Sequence, residues 1–324
     1  MSSNTKQTLV VFGATGSQGG SVAKSILKDP ETAAKYHVRC ITRDTEKPSA
    51  KALIDLGAEV VKADLNDKES LRMALTGADD VFLVTNFWET KDPDVEIQQG
   101  KNVADVCKEL AVKHLVWSSL PNITKISSGK FTHVYHFDSK AAVEDYIRSL
   151  GIPASFFLAG FYMENIPSGM MRKTSPEGAA EDWTFALPIT EKAQIPMFAA
   201  SADTGKYVKA MLLNKEAVLG RQVPGATAYY DPVRIAKEFG EATGKKGLFV
   251  SIDPEDFKKS LQAGNLEKLK LGVDEKIQLD LMEGMLLLDD VGYFGGESLE
   301  WGNSLVKEPL TTWKEFAKEC PTFN

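Results

Sequence analysis

Thr8-Leu9-Val10-Val11-Phe12 is an unbroken apolar run that ends directly in Gly13-Ala14-Thr15-Gly16-Ser17-Gln18-Gly19-Gly20. A run of this kind fits a strand covered on both faces. A helical pattern carrying Val22, Ile26 and Leu27 opens after the glycines. Glycines at 13, 16 and 19 leave out the side chains that would block a close backbone approach to a pyrophosphate. The helix start then offers free N–H groups and the positive end of its dipole to the phosphates. Such a triplet alone says little, but the strand–turn–helix setting makes it a dinucleotide fingerprint. Gly13, Thr15, Gly16, Ser17, Gln18 and Gly19 are the candidate contacts.

Strand and helix signals alternate through the first half. His37–Thr42, Glu59–Ala63, Val81–Thr85, Leu115–Ser119 and Ala154–Leu158 read as further strands. Helix signals lie near 50–56, from a cap at Asp67 to a stop at Gly77, across 95–112 and around 140–150. The last carries Val143, Tyr146, Ile147 and Leu150 on one stripe. Repeated units of this length predict a Rossmann-type α/β fold with a doubly wound parallel sheet.

After Gly160 the rhythm breaks, and proline and glycine become frequent between Pro167 and Pro196. Asp231-Pro232 and Asp253-Pro254 look like helix starts, with a strand at Leu248–Ile252 between them and helices near 275–288 and 312–318. The expected division is a cofactor-binding domain over 1–158 and a smaller α/β region over 159–324 packed at the sheet's C-terminal edge. Exchange of strands between the two is allowed.

The end of the second strand selects the dinucleotide. An acidic residue there would hold the ribose 2′-hydroxyl of NAD. This chain has Arg43, with Lys47 close behind, and a guanidinium makes paired bonds to a 2′-phosphate. NADP is therefore expected over NAD, although Asp44 follows immediately. Asp64, at the end of the third strand, is a candidate neighbour of the adenine. Thr85, Asn86 and Phe87 end the fourth strand on the ligand-binding edge, and Phe87 and Trp88 fit core or lid equally.

Short-chain reductases with such a loop use a Tyr-x-x-x-Lys pair. The lysine lowers the phenol's pKa and binds the ribose, and the tyrosine donates the proton. Lys140 stands where that lysine belongs, as a ribose-binding or vestigial catalytic group, but His136 occupies the tyrosine position. Tyr135 is one residue out of register, a rotation of about 100° on a helix. Two roles are open for His136: a weaker proton donor, since histidine titrates near neutrality, or a structural or surface residue. No carboxylate stands at a diagnostic spacing from His136 or His133, so neither a triad nor a metal site is inferred.

A net charge of -7 argues against a nucleic-acid backbone as direct partner. Cys40, Cys107 and Cys320 are too scattered for a zinc or redox pair and read as apolar fillers. No apolar run reaches the roughly 18 residues of a membrane span. Met1 to Gln7 is polar, with no visible targeting segment, so the expected compartment is the cytosol, with nuclear entry open.

The motif Val11–Gly20 with Thr42-Arg43, Thr85-Asn86-Phe87-Trp88-Glu89, Gln99-Gly100-Lys101 and His136-Phe137-Asp138-Ser139-Lys140 resembles the NmrA-like family of atypical short-chain dehydrogenase/reductases. Gly151-Ile152-Pro153 and Gly160-Phe161-Tyr162-Met163-Glu164-Asn165 extend the likeness, which is dense over residues 8–166. The resemblance implies an NADP-binding protein that has lost the active tyrosine. It places Asp64-Leu65 beside the adenine, and Thr85, Asn86, Phe87, Lys140, Tyr162 and Asn165 along the ribose and nicotinamide. Animal relatives carry a lysine near Gln98, where this chain has glutamine, so it departs from the family pattern at that phosphate contact. The family further implies a redox sensor that binds a regulatory protein, such as a GATA-type transcription factor. A monomer or a homodimer is expected, the dimer being the common default among oligomers. The alternative expectation is an NADPH-dependent reductase of quinones or isoflavone-like compounds.

Overall fold

A computed structural model of the chain describes residues 6–174, 182–262 and 274–324. Met1–Thr5 and residues 175–181 of the proline- and glycine-bearing stretch lie outside them. The strands are β1 (Gln7–Val11), β2 (Tyr36–Thr42), β3 (Glu59–Lys62), β4 (Asp80–Leu83), β5 (His114–Ser119), β6 (Ala154–Ala159), β7 (Phe161–Tyr162), β8 (Met171–Lys173), β9 (Asp182–Leu187), β10 (Ile195–Phe198), β11 (Gln222–Gly225), β12 (Ala228–Tyr230) and β13 (Lys246–Ser251). Seven of them form one sheet in the order β11-β6-β5-β4-β1-β2-β3, every pair parallel. The order reverses between β1 and β4, which opens a crevice at their C-terminal ends.

Alternation along the central strands divides the core in two. Leu9, Val11, Phe82, Val116 and Phe157 belong to one apolar cluster; Val10, Val81, Leu83, Leu115, Trp117 and Phe156 belong to the other. This is the two-residue period of a sheet covered on both faces. Asp67 caps its helix by accepting the N–H groups of Glu69 and Ser70, and Gly77, with φ +74°, closes the turn beyond it. Asp231 caps the helix Pro232–Thr243 in the same way.

β11 comes from the second half, yet it pairs with β6 from Gln222↔Phe156 to Gly225↔Ala159 and completes the main sheet. The sequence reading assigned no strand there. The rest of the second half supplies two three-stranded sheets, β12-β10-β7 and β13-β9-β8. Its helix Ala200–Leu213 lies against the glycine-loop helix Ser17–Lys28. A Cβ on Gly205 would sit 2.2 Å from the Ser21 carbonyl oxygen, and the Gly205 N–H donates to Ser21 Oγ. Met285, Leu287 and Leu288 are buried in the core.

Two boundaries differ from expectation. The helix expected around Lys140 begins at Tyr135. Its N-cap, Val134, offers no side-chain acceptor; Asp280, far along the chain, accepts the His136 N–H instead. The fourth strand stops at Leu83 rather than Thr85. Thr85 is turned toward Lys140 and Glu96, and the chain passes into the short helix Phe87–Thr90. No described helix is long and apolar enough to cross a membrane.

Candidate functional site

The crevice at the strand reversal is a cleft of about 640 Å³. It begins at the glycine loop. Gly13 takes φ +61°, a conformation that costs little only without a side chain. Its carbonyl accepts the Gly16 N–H at 2.9 Å. A Cβ at Gly19 would stand 2.3 Å from the Phe12 carbonyl oxygen, so the turn closes only around glycine. No side chain caps the helix Ser17–Lys28 and no acidic residue stands in its first turn. Its leading N–H groups are thus free of a competing anion from the helix itself, a cradle that fits a pyrophosphate.

Arg43 follows β2 at one end of the cleft. Its guanidinium pairs with both carboxylate oxygens of Glu89, Nη2 donating to Oε2 at 3.0 Å. That hydrogen-bonded pair holds the guanidinium above its already high ordinary pKa. Lys47 lines the same end. Asp44, the residue that argued for NAD, is engaged in its own turn: its carboxylate accepts the Glu46 N–H at 3.0 Å, and it is absent from the lining. Asp64 and Leu65 form the adjoining wall. Asp64 accepts from Asn66, and the Leu65 carbonyl accepts from Asn102 Nδ2 at 2.9 Å.

At the other end, Lys140 Nζ donates to Glu96 Oε1 at 2.6 Å and Thr85 Oγ1 at 3.0 Å. Glu96 also accepts from Thr85 Oγ1 and Ser139 Oγ. Burial pushes its carboxyl up, but Lys140, Ser139 and Thr85 outweigh that and hold it below its ordinary value. Gly100 lets the two helices carrying Glu96 and Lys140 approach closely, since a Cβ there would meet Val143 at 2.5 Å.

His136 is held from the second half of the chain. Asp280, wholly buried, accepts from its ring Nδ1 through one oxygen and from its backbone N–H through the other. The ring packs against Trp88 and Phe137, with centroids 4.9 and 4.8 Å away. Phe87 is buried and Trp88 lies half-buried on His136, and both line the cleft. Tyr135 faces His133 and Lys276 and does not line the cleft. Tyr162 accepts from Gln18 Nε2 at 2.5 Å, and Gln18 Oε1 accepts from Ser118. Burial pushes that phenol up to about 12.

Of the residues singled out from the sequence, Gly13, Thr15, Gly16, Ser17, Gln18, Gly19, Arg43, Lys47, Asp64, Leu65, Thr85, Asn86, Phe87, His136, Lys140, Tyr162 and Asn165 line this one cleft, whereas Asp44, His133 and Tyr135 do not. Gln98 is turned along its own helix to Asn102, and its neighbour Gln99 faces the cleft. Sequence reasoning missed Glu96 and Asp280, whose roles rest on contacts 44 and 144 residues away in the chain. It also missed the apolar wall of Met170, Leu281, Met285 and Tyr293. Among the described residues no cluster of ligands suits a metal ion.

Residues 5–317 match the profile of the NmrA-like family. The NmrA-like family domain-containing oxidoreductase ptmS of Penicillium ochrochloron is 31% identical over 266 residues, 77% of each chain. Among solved structures, NmrA, described as a negative transcriptional regulator and crystallised with NADP, superposes with a TM-score of 0.79 at 20% identity, covering 97% of this chain and 95% of the other. The Citrobacter sp. triphenylmethane reductase, complexed with NADP(H), gives 0.72 at 21% identity, over 96% and 99%. At such identities these two likenesses concern the fold.

Proposed function

The chain belongs to the NmrA-like family, and from that premise we propose that it is an NADP(H)-dependent oxidoreductase acting on apolar, conjugated acceptors. One observation carries the reading: a glycine cradle, a guanidinium and a lysine line the same cleft, which continues into an apolar wall. The glycine loop and helix start would hold the pyrophosphate, and Arg43 with Lys47 the 2′-phosphate. Lys140, fixed by Glu96 and Thr85, would meet the nicotinamide ribose. The bound dinucleotide supplies the hydride. Met170, Leu281, Met285 and Trp88 then offer a water-poor surface to a flat acceptor. The oxidoreductase name borne by ptmS supports the reading.

A second reading, a redox sensor binding a regulatory protein, is favoured by the Arg43–Glu89 pair. Glu89 and Trp88 share one short helix, so the occupant of the Arg43 site acts on a segment that also packs on His136. Sensing needs such a difference between states, since equal affinity for both shifts nothing. Calorimetric titration with NADP+, NADPH, NAD+ and NADH, followed by NADPH consumption with 9,10-phenanthrenequinone, tests both. Tight binding of the phosphorylated forms with turnover supports the enzyme. A preference of tenfold, about 1.4 kcal/mol, between NADP+ and NADPH without turnover supports the sensor.

A further inference from the structure

Asp280 and Glu283 stand one turn apart on the helix Glu275–Leu286. Each grips one histidine from the start of the facing helix, and each does so through ring and backbone together. Glu283 accepts from His133 Nδ1 at 2.6 Å and from its N–H at 2.8 Å. Asp280 holds His136 in the same two-pronged way. The outcome differs between the two. His133 is outside the cleft lining, whereas His136 lines it, four residues from Lys140. Its Nε2 makes no hydrogen bond among the described residues and is not sealed from the cleft.

We propose that His136 Nε2 delivers the proton to the acceptor oxygen, and that Asp280 is its positioning residue. This rests on the oxidoreductase reading. A phenol is a neutral acid, and a cation beside it favours the anion left after donation. An imidazolium is a cationic acid, and it is the charged form that a carboxylate stabilises. The cleft is arranged for the second case. The Lys140 ammonium is already engaged by a buried carboxylate, and a second buried carboxylate stands on the far nitrogen of the imidazole. Fixing Nδ1–H toward Asp280 leaves Nε2 as the atom that exchanges protons with the cleft.

The step balances as a carbonyl reduction. The acceptor carbon gains the hydride with its electron pair, and the carbonyl π pair moves to oxygen. That oxygen takes the Nε2 proton, leaving an alcohol and a neutral imidazole whose Nδ1–H is still held by Asp280. A proton from bulk solvent, relayed through water that enters the cleft, restores the charge on Nε2. Trp88, tilted against the ring with centroids 4.9 Å apart, limits its rotation.

The test uses the full chain, NADPH and 9,10-phenanthrenequinone as the probe acceptor. His136→Gln is expected to lower kcat by about 10²-fold or more with NADPH affinity within about twofold by calorimetry. Asp280→Asn is expected to lower kcat more than it raises KM. Nitrogen-15 NMR reads the same feature without turnover: neutral His136 in the wild type is the Nδ1–H tautomer, and Asp280→Asn mixes the tautomers. Glu283→Gln, which loosens the twin pair outside the cleft, leaves kcat unchanged. Turnover that survives His136→Gln overturns the proton role while the oxidoreductase reading stands. A wild-type protein that binds NADPH but consumes none overturns both. An Nε2–H tautomer in the wild type overturns Asp280 as positioning residue. Should Asp280→Asn fail to fold, His136→Gln and the wild-type spectrum decide the matter.

Discussion

Lys140 Nζ lies 2.6 Å from Glu96 Oε1, and the carboxylate that holds it is almost wholly shut off from water. Removing one partner of a buried pair leaves the other charge uncompensated. Glu96→Gln is therefore expected to cost about 3 kcal/mol, read as a lower urea midpoint at pH 7. The Glu96 carboxyl is held below its ordinary pKa, so the pair stabilises above the usual carboxylate range and fades as pH falls through the folded value. The gap between wild type and variant should narrow in acid. A constant gap down to acid unfolding would show that the pair is not what the substitution removed.

On the proposed reading, Arg43 is the contact that would separate phosphorylated from unphosphorylated dinucleotides. Arg43→Ala should weaken NADPH at least about tenfold, or 1.4 kcal/mol, and leave NADH within about twofold, measured by calorimetry after bound nucleotide is stripped. Equal losses for both cofactors would move the 2′-phosphate contact elsewhere.

Glu89 competes for that same guanidinium. Both side chains are half exposed, which keeps the competition modest. Glu89→Gln should tighten NADPH roughly two- to fivefold, in line with the worth of an exposed pair, with no change for NADH. Weaker NADPH binding would instead make Glu89 a supporting contact.

His114, on β5, is buried with its Nε2 against Ser155 Oγ at 2.8 Å, and burial lowers its pKa to about 4. The unfolded chain takes up this proton near the ordinary value of 6.5 while the folded chain stays neutral. The contribution is thus complete above about pH 6.5 and lost as pH falls toward 4, at most about 3 kcal/mol. His114→Gln should flatten urea stability across that interval. An unchanged slope would assign the acid sensitivity to other groups.

Gly19→Ala forces a Cβ against the Phe12 carbonyl oxygen, which is backbone and cannot move aside. We expect a loss of about 1–3 kcal/mol together with loss of dinucleotide binding. A variant of normal stability that still binds would mean the loop can reopen.

The end of the cleft lined by the glycine loop and Arg43 was legible because its chemistry is local. A strand, three glycines, and an arginine at the next strand end declare themselves within a few residues, and the sheet places them together. The partners of His136 and Lys140 were not legible. Asp280 and Glu96 look like ordinary acidic residues on helix patterns until tertiary packing buries them. The early start of the helix Tyr135–Ser149 was hidden for the same reason, since its cap is supplied by Asp280. β11 was missed because Gln222-Val223-Pro224-Gly225 is short, carries proline and glycine, and gains its strand geometry only by pairing with β6.

The return of β11 to β6 also bears on how the chain is made. A ribosome adds about 5–20 residues per second, so several seconds separate the emergence of Ala159 from that of Gly225. Throughout that interval β6 presents a bare, apolar edge of the kind that recruits other chains. The glycine-loop helix likewise waits for its packing partner Ala200–Leu213, so a chain stalled within that window leaves both this helix face and the β6 edge uncovered.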